Sequence, residues 1–275
     1  RRISVPLMAL TATTTHMAQG DLSVRSHLKR DDELGMLSST FNDMAERIEN
    51  TVNALRRFVA DAAHELHTPI TALNTNLELA IDEHDPQVRD HYIQRARKQV
   101  KRLEVLTDGL LDLSRIEAGL TAAPHKLVML NPLVQELSEV YASRSDQVQI
   151  NFVLDLPEDT PITVCGNEQQ LRSAISNLMD NAIKFTPAGE TVTVRVVTCE
   201  DAVKIHVRDR GIGIPPDEIA YIFSRFHRGR NAVTFAGSGL GLAIVNGVVE
   251  AHHGTVTVDN LNPGTQFTMC LPRPR

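Results

Sequence analysis

The chain has 275 residues, of which 42% are hydrophobic and 23% are charged, and its formal net charge is −6. These proportions are ordinary for a folded globular protein of two or three domains, and the acidic balance gives no basic footprint for binding nucleic acid. The three cysteines are far apart, so neither a disulfide framework nor a zinc site is indicated, and a reducing, cytosolic setting is favoured. No apolar stretch approaches the roughly 20 residues that a membrane-spanning helix needs.

The first segment is predicted to be a helix with a heptad seam, because apolar residues between Ile3 and Met17 follow an alternating spacing of four and three. Gly20 is expected to end this helix. The chain opens on two arginines and has no initiator methionine. We interpret it as a piece of a longer protein, since basic residues in this place are typical of the cytoplasmic flank of a transmembrane helix.

The second helix has the most regular periodicity and is expected to run from about Asp32 past His64. This periodicity places a stripe of apolar side chains along one face of the helix. A solitary helix cannot bury that stripe, so a partner chain is expected. After a polar turn at residues 82–86, another helix should return and end near Gly119, and two such hairpins would form a four-helix bundle in a homodimer. The stripe, at three-four spacing without a break, consists of Leu34, Leu37, Phe41, Met44, Ile48, Thr51, Leu55 and Phe58.

A histidine stands inside this helix in an unusual setting. His64 has Glu65 beside it, Thr68 one turn on and Pro69 just after. A neutral imidazole can accept a phosphoryl group, and here it has a carboxylate neighbour. Proline has no amide hydrogen, so the helix is expected to kink at Pro69. The alternative interpretation is a polar surface histidine that precedes a chance proline.

Beyond Pro124 the pattern changes to strands mixed with helices, which predicts a layered α/β domain. Helices are expected at 168–185, 217–223 and 240–252, with a loop over 224–238. Strands are expected at 148–154, 161–164, 191–197, 203–207, 255–258 and 266–271.

Three polar patches in this domain could bind a nucleotide. In the first, Asn177, Asn181 and Lys184 share one face of a helix, where two amide oxygens suit Mg²⁺ and a lysine suits phosphate. In the second, Asp209 follows a strand, where its carboxylate can accept a hydrogen bond from an exocyclic amine such as that of adenine. Each patch also has a plainer reading, as a solvated helix face or a tight turn.

The third patch is the glycine-rich stretch 237–241 at the start of a helix, which presents free amide hydrogens and a positive dipole end to phosphate. It does not follow a strand and lacks the GK[ST] of a P-loop, so it fits neither common nucleotide fingerprint. Before it, Arg225 and Arg228 lie with Phe223 and Phe226 in a stretch that suits a lid over phosphates.

The order and spacing of these motifs resemble the cytoplasmic part of a membrane-bound sensor histidine kinase of two-component signalling. Residues 1–50 resemble a HAMP signal-relay domain, and residues 51–120 resemble a dimerisation and phosphoacceptor hairpin. Residues 125–275 resemble the ATP-binding domain that histidine kinases share in fold with Hsp90, gyrase B and MutL. The implied fold is an all-α region that forms a dimeric four-helix bundle, followed by an α/β sandwich.

The resemblance implies roles for individual residues. His64 would be the phosphoacceptor, Glu65 its acid/base partner, and Thr68 would position water for dephosphorylating the partner response regulator. Asn181 would bind Mg²⁺ with help from Asn177. Asp209 would bind the adenine amine, and Arg225 or Arg228 would bind the γ-phosphate. The other residues implied in ATP binding are Asn177, Asn181, Lys184, Phe185, Gly211, Gly213, Ile214, Gly237, Ser238, Gly239, Leu240 and Gly241.

Three residues depart from the family pattern without removing an essential group: Ala63 for Ser, His67 for Arg and Phe185 for Tyr. His67 either adds pH sensitivity near the site or is a solvated surface histidine.

The expected function is autophosphorylation from ATP and transfer to the receiver domain of a response regulator, together with phosphatase activity on that regulator. The alternatives are a mechanical ATPase of the Hsp90, gyrase and MutL kind and a non-catalytic ATP-binding scaffold. The stimulus, the cognate regulator and whether transfer occurs within or between chains stay open.

Overall fold

The structure is a computed structural model, and its described residues form six α-helices and seven strands. The chain divides into two compact units, Arg1–His64 and Glu65–Arg275. Within the described part of the chain, none of the helices combines the length and apolarity that crossing a bilayer requires. The described residues are 3–28, 30–117, 126–157, 161–235 and 237–274.

The first unit consists of helix α1 (Ser4–Ala18), a connector and the first part of helix α2 (Glu33–Asp82). Gly20, with a φ of +101°, follows the end of α1, as the sequence predicts. The connector folds back onto α2, because the Asn42 side chain accepts from the Ser26 amide at 2.8 Å and donates to the Ser26 carbonyl at 2.9 Å.

Most of the predicted apolar stripe on α2 is uncovered in the single chain. Phe41 is only 7% exposed, but Met44 is 48% exposed and Leu55 is 57% exposed. Apolar side chains at heptad spacing on one face of a long helix form the kind of surface that a second helix covers.

Helix α2 is continuous through His64 and Pro69 to Asp82, which confirms the predicted long helix. A turn follows in which the Asp85 carboxylate accepts from the Gln87 amide at 2.8 Å and so caps the start of helix α3 (Pro86–Glu117). The predicted helix end near Gly119 and the boundaries at residues 120 and 125 lie outside the described residues.

The rest of the second unit is a sheet layer covered by helices, as predicted. Its main sheet has the strand order β2-β4-β5-β7-β6, in which only the β2–β4 pair is parallel. A separate antiparallel pair joins β1 to β3. The strands are β1 (Lys126–Met129), β2 (Asn151–Asp155), β3 (Thr163–Gly166), β4 (Thr191–Thr198), β5 (Ala202–Arg208), β6 (Thr255–Asn260) and β7 (Thr265–Pro272).

Helices α4 (Leu130–Gln147), α5 (Glu168–Phe185) and α6 (Gly241–Ala251) form the helical layer. The core between the layers is aliphatic, as expected for a chain without tryptophan. Its fully buried members include Leu171, Ile175, Leu178, Val192, Val194, Ile205, Val207, Val245 and Val248.

One helix, α4, is not predicted from the sequence, and two local predictions are wrong. The strand predicted from Val148 begins at Asn151, because the residues just after α4 close its end: the Ile150 amide donates to the Ser145 carbonyl of α4 at 2.9 Å. Residues 217–223 form successive turns rather than a helix, since their hydrogen bonds span three residues, as in the 2.8 Å bond from the Tyr221 amide to the Glu218 carbonyl.

Candidate functional site

A cavity of about 530 Å³ opens beside helix α5. The Asn167 side chain caps this helix by accepting from the Gln170 amide at 3.2 Å, and its apolar face is buried against the sheet. That arrangement turns the opposite face toward the cavity, which Asn177, Asn181 and Lys184 line together. The shared face predicted from their spacing is therefore present.

The glycine-rich stretch forms the opposite wall and leads into α6. A Cβ added at Gly241 would lie 2.6 Å from Asn177 Oδ1, and one added at Gly237 would lie 2.6 Å from Lys184 Nζ. Gly239 adopts a φ of +73°, which a side chain would strain. Glycine thus lets the turn approach the polar face of α5 and leaves backbone amides at the start of α6 for an anion.

The amide groups of α5 fit a hard cation such as Mg²⁺. Asn177 donates from Nδ2 to the Ser173 carbonyl at 2.8 Å, which fixes Oδ1 as the atom on the side of Gly241. Among the described residues no cluster of three His, Cys, Asp or Glu could hold a metal. Two amide oxygens suit Mg²⁺, because this ion keeps waters and substrate phosphates as its other ligands.

A buried carboxylate defines the other end of the cavity. Asp209 is 5% exposed, and its Oδ1 accepts from the Gly211 amide at 2.8 Å and from the Thr265 amide at 3.1 Å. Burial raises the pKa of Asp209, while the two amide hydrogen bonds oppose that shift. Ile214 and Phe267 line the cavity beside it, so this end is apolar with one acceptor, as an adenine pocket requires.

The loop between β5 and α6 supplies a third wall and separates the two candidate arginines. Arg228 lines the cavity, and its Nη2 donates to the Val233 carbonyl at 3.1 Å and the Phe235 carbonyl at 2.6 Å. Arg225 instead lines a different, smaller cavity between α3 and α6, with Leu113 among its walls. Of the two, Arg228 is the one that lines the cavity beside α5.

Most of the predicted nucleotide-binding residues meet in this cavity, with three exceptions. Arg225 is one. Leu240 is 1% exposed and packs on Gly109 of α3, and Gly211 lines a neighbouring surface pocket with Asn260 to Gly264. The residues that do line the cavity are Asn177, Asn181, Lys184, Phe185, Asp209, Gly213, Ile214, Arg228, Gly237, Ser238, Gly239 and Gly241.

The histidine segment lies within α2. His64 and Thr68 are exposed, and so is His67, whereas Pro69 is buried. The Glu65 carboxylate lies 3.9 Å from an Arg102 guanidinium nitrogen of α3, which makes a partly exposed ion pair. The exposed imidazole of His64 is accessible to a reactant, and the neighbouring Glu65 carboxylate is held in place by its ion pair.

Three family models match the chain in order. Residues 1–50 match the HAMP domain, residues 54–119 match the His Kinase A (phospho-acceptor) domain, and residues 166–275 match the histidine kinase-, DNA gyrase B- and HSP90-like ATPase. The chain has a phospho-acceptor domain in addition to the ATPase domain, and this combination distinguishes it from the mechanical ATPases. The chain belongs to the sensor histidine kinases.

Curated relatives among the histidine kinases match over nearly the whole chain. The signal transduction histidine-protein kinase/phosphatase MprB of Mycolicibacterium vanbaalenii is 35% identical over 268 residues, which cover 94% of this chain and 54% of that protein. The sensor histidine kinase CusS of Escherichia coli K12 is 32% identical over 273 residues, or 97% of this chain and 56% of that protein. The chain thus spans about half the length of these relatives.

Solved histidine kinase structures share the fold. The Acinetobacter baumannii histidine kinase AdeS superimposes with a TM-score of 0.63 at 26% identity, covering 77% of this chain and 98% of that one. The mycobacterial sensor histidine kinase MprB superimposes with a TM-score of 0.50 at 35% identity, covering 55% of this chain and all of that one.

The sequence did not indicate several residues that line the cavity of this histidine kinase. Thr265 and Phe267 could have been inferred, because the strand that carries them pairs with the strand that leads to Asp209. Asp180 lies within the predicted Asn177–Lys184 patch. Arg144 of α4 carried no signal, because its place beside the cavity depends on how two helices pack.

Proposed function

We propose that this chain phosphorylates itself on His64 from ATP and passes the phosphoryl group to an aspartate on the receiver domain of a response regulator. The observation that carries the proposal is the composition of the α5–α6 cavity. One end holds a buried carboxylate in an apolar pocket, and the other holds a glycine cradle with amides and a lysine. A purine triphosphate needs both ends, and the same chain carries an exposed histidine in a phospho-acceptor domain.

In the proposed complex, Asp209 accepts a hydrogen bond from the adenine amine. Both amide donors bind its Oδ1, so Oδ2 is the oxygen that serves the base. Backbone amides of the 237–241 cradle and Lys184 bind the phosphates. Asn181 and Asn177 would hold Mg²⁺, which supplies charge neutralisation on the phosphate oxygens when bound.

The chemical step is a transfer between two nucleophiles. The neutral imidazole of His64 forms a nitrogen–phosphorus bond to the γ-phosphorus, the bond from that phosphorus to the β–γ bridging oxygen breaks, and ADP leaves. Glu65, held near Arg102, keeps the imidazole in its nucleophilic state by taking up its proton. A carboxylate of the regulator then attacks the same phosphorus, and the nitrogen–phosphorus bond breaks.

The phosphatase activity is proposed on the position of Thr68, one helical turn after His64 and also exposed. Its hydroxyl would orient a water toward the phosphorylated aspartate of the bound regulator. The relative MprB is named a kinase/phosphatase, which supports two opposed activities in one chain. Pro69 interrupts the helix hydrogen bonds just beyond, which gives the helix a place to bend between the two outputs.

We also propose that the chain works as a homodimer anchored to a membrane through a segment of the full protein, with these residues on the cytoplasmic side. The uncovered apolar stripe on α2 supports the dimer, since Met44 and Leu55 are about half exposed. The relatives are sensor kinases about twice as long as this chain, which supports a separate sensing part.

Incubation with γ-labelled ATP and Mg²⁺ tests the proposed activity. The expected product is a labelled chain whose label is lost in acid and kept in base, as a phosphoramidate bond requires. A label that survives acid would point to a hydroxyl acceptor, and a label that is lost in both acid and base would point to a carboxyl acceptor. ATP binding without any labelling would favour the non-catalytic scaffold.

A further inference from the structure

Helix α4 contributes one side chain to the nucleotide cavity among the residues that the structure describes, and that side chain is Arg144. It belongs to no nucleotide-binding motif of the chain and lies 33 residues before Asn177 in the sequence. The Arg144 side chain is 55% exposed, so its guanidinium is accessible from the cavity.

Two neighbours hold the Arg144 guanidinium in place. Its Nη1 lies 3.0 Å from Asp180 Oδ1, and its central carbon lies 5.0 Å from the centre of the Tyr141 ring. The Tyr141 hydroxyl donates to Asp180 Oδ2 at 2.9 Å. Burial, followed by the charge of Asp180, raises the pKa of Tyr141 to about 12, so this hydroxyl keeps its proton at neutral pH. The ion pair uses one of the guanidinium's five N–H donors, which leaves others for a ligand.

The charges around Asp180 show why a cation is needed here. Asp180 lines the cavity directly before Asn181 and one helical turn before Lys184. Burial and the nearby Arg228 lower the pKa of Lys184, and the charge of Asp180 opposes that shift. Asp180 and Lys184 are therefore close enough to interact electrostatically. A bare carboxylate at this position would repel a triphosphate in the cradle.

We propose that Arg144 is a phosphate-binding residue of this site, presented by Asp180 and Tyr141 on the Lys184 side of the cradle. The proposal rests on the proposed ATP site and deepens it. Arg144 cancels the charge of Asp180 and directs its remaining N–H donors toward the phosphate groups. Guanidinium suits this task because it is always charged, stacks on aromatic rings and binds phosphate with two parallel hydrogen bonds.

Titration of the 275-residue chain with ATP and with adenosine tests this role, both in Mg²⁺ and in EDTA. Arg144→Gln should weaken ATP binding about tenfold and leave adenosine binding unchanged, because only the nucleotide carries the phosphates. Arg144→Lys should fall between, since it keeps the charge and loses the planar fork. Unchanged ATP binding in Arg144→Gln, or an equal loss for adenosine, would overturn the proposal.

Two controls separate contact from other effects. Arg172→Gln removes another arginine of the domain, which pairs with Glu136 at 2.8 Å and does not line the cavity, and it should leave ATP binding unchanged. The double variant Arg144→Gln with Asp180→Asn should stay weak. Full recovery in the double variant would show that Arg144 only masks Asp180, which contradicts direct contact. Absence of ATP binding by the unaltered chain would instead contradict the ATP site itself.

Discussion

The carboxylate of Asp209 accepts a hydrogen bond from the backbone amide of Thr265 at 3.1 Å, across the junction of β5 and β7. The carboxylate is thereby fixed just beyond the end of β5, and it is buried without a basic partner among the contacts described for it. A buried charge that is held only by neutral amides costs stability, and such groups are candidates for a functional use.

Replacing Asp209 with Asn should therefore separate binding from stability. Asparagine Oδ1 can still accept from the Gly211 and Thr265 amides, but the acceptor charge for adenine is lost, so ATP binding should fall at least about tenfold. Because the pKa of Asp209 is raised, its stabilising effect is present when the group is protonated at low pH and is lost as pH rises through the raised value.

The stability of Asp209→Asn should accordingly equal or exceed that of the unaltered chain at pH 7, and this advantage should vanish in acid. Urea unfolding at pH 7 and near pH 4, with ATP titration at pH 7, measures both quantities. A variant that loses stability at pH 7 would mean that the carboxylate is structural.

Gly166 allows a buried histidine to sit against the sheet. A Cβ at residue 166 would lie 2.2 Å from His252 Cδ2. The ring cannot move aside, because Nδ1 lies 2.7 Å from the Val248 carbonyl and Nε2 accepts from the Asn167 amide at 3.0 Å. Gly166→Ala should lower the free energy of unfolding by about 1–3 kcal/mol.

A matched glycine gives the control for that variant. A Cβ at Gly247 would lie 3.1 Å from a methyl group of Ile116, which can yield, and Gly247 is in the interior of α6. Gly247→Ala should therefore be close to neutral, since the better helix propensity of alanine offsets the tight contact. Urea unfolding of both variants checks the contrast, and an equal loss in the two would contradict the role given to His252.

Helix α6 ends on a strained residue. His253 follows the C-cap residue with a φ of +56°, a conformation that favours glycine at this position, and its side chain is exposed. His253→Gly should stabilise the domain by about 0.5–1 kcal/mol by removing the strain of the left-handed backbone. His253→Ala keeps the Cβ and should give no gain. Thermal unfolding of the two variants compares them directly.

The uncovered stripe on α2 predicts a dimer that charges would disrupt. Ile48 is 38% exposed and Leu55 is 57% exposed, at equivalent heptad positions. Replacing both with Asp should raise the dimer dissociation constant by about a hundredfold or more, because a dimer would bury the new charges. Sedimentation equilibrium measures this, and Asn50→Asp with Arg57→Asp, on the polar side of the same helix, should leave the dimer intact.

Sequence reasoning predicts best where one periodicity decides the structure. Helix α5 matches its predicted bounds because an N-cap asparagine, a buried apolar face and a polar face agree on one register. The polar face then locates Asn177, Asn181 and Lys184 without knowledge of the rest of the fold. Asp209 follows for a similar reason, since a strand followed by a Gly-rich turn fixes its place at the end of β5.

What the sequence does not supply depends on tertiary packing. Arg225 and Arg228 are three residues apart in one loop, and only the folded loop brings Arg228 to the cavity beside α5 and Arg225 to the smaller cavity between α3 and α6. Helix α4 has readable periodicity in Leu133, Val134 and Leu137, all buried, but its register against α5, which places Arg144, is set by packing.

His64 is proposed to carry the phosphoryl group, and a comparison of two histidine variants tests this role. His64 and His67 are both exposed on α2, one helical turn apart, so His64→Gln and His67→Gln perturb the helix alike. With γ-labelled ATP, we expect acid-labile, base-stable label to disappear in His64→Gln and to persist in His67→Gln. Label that persists in His64→Gln would rule out His64 as the phosphoryl carrier.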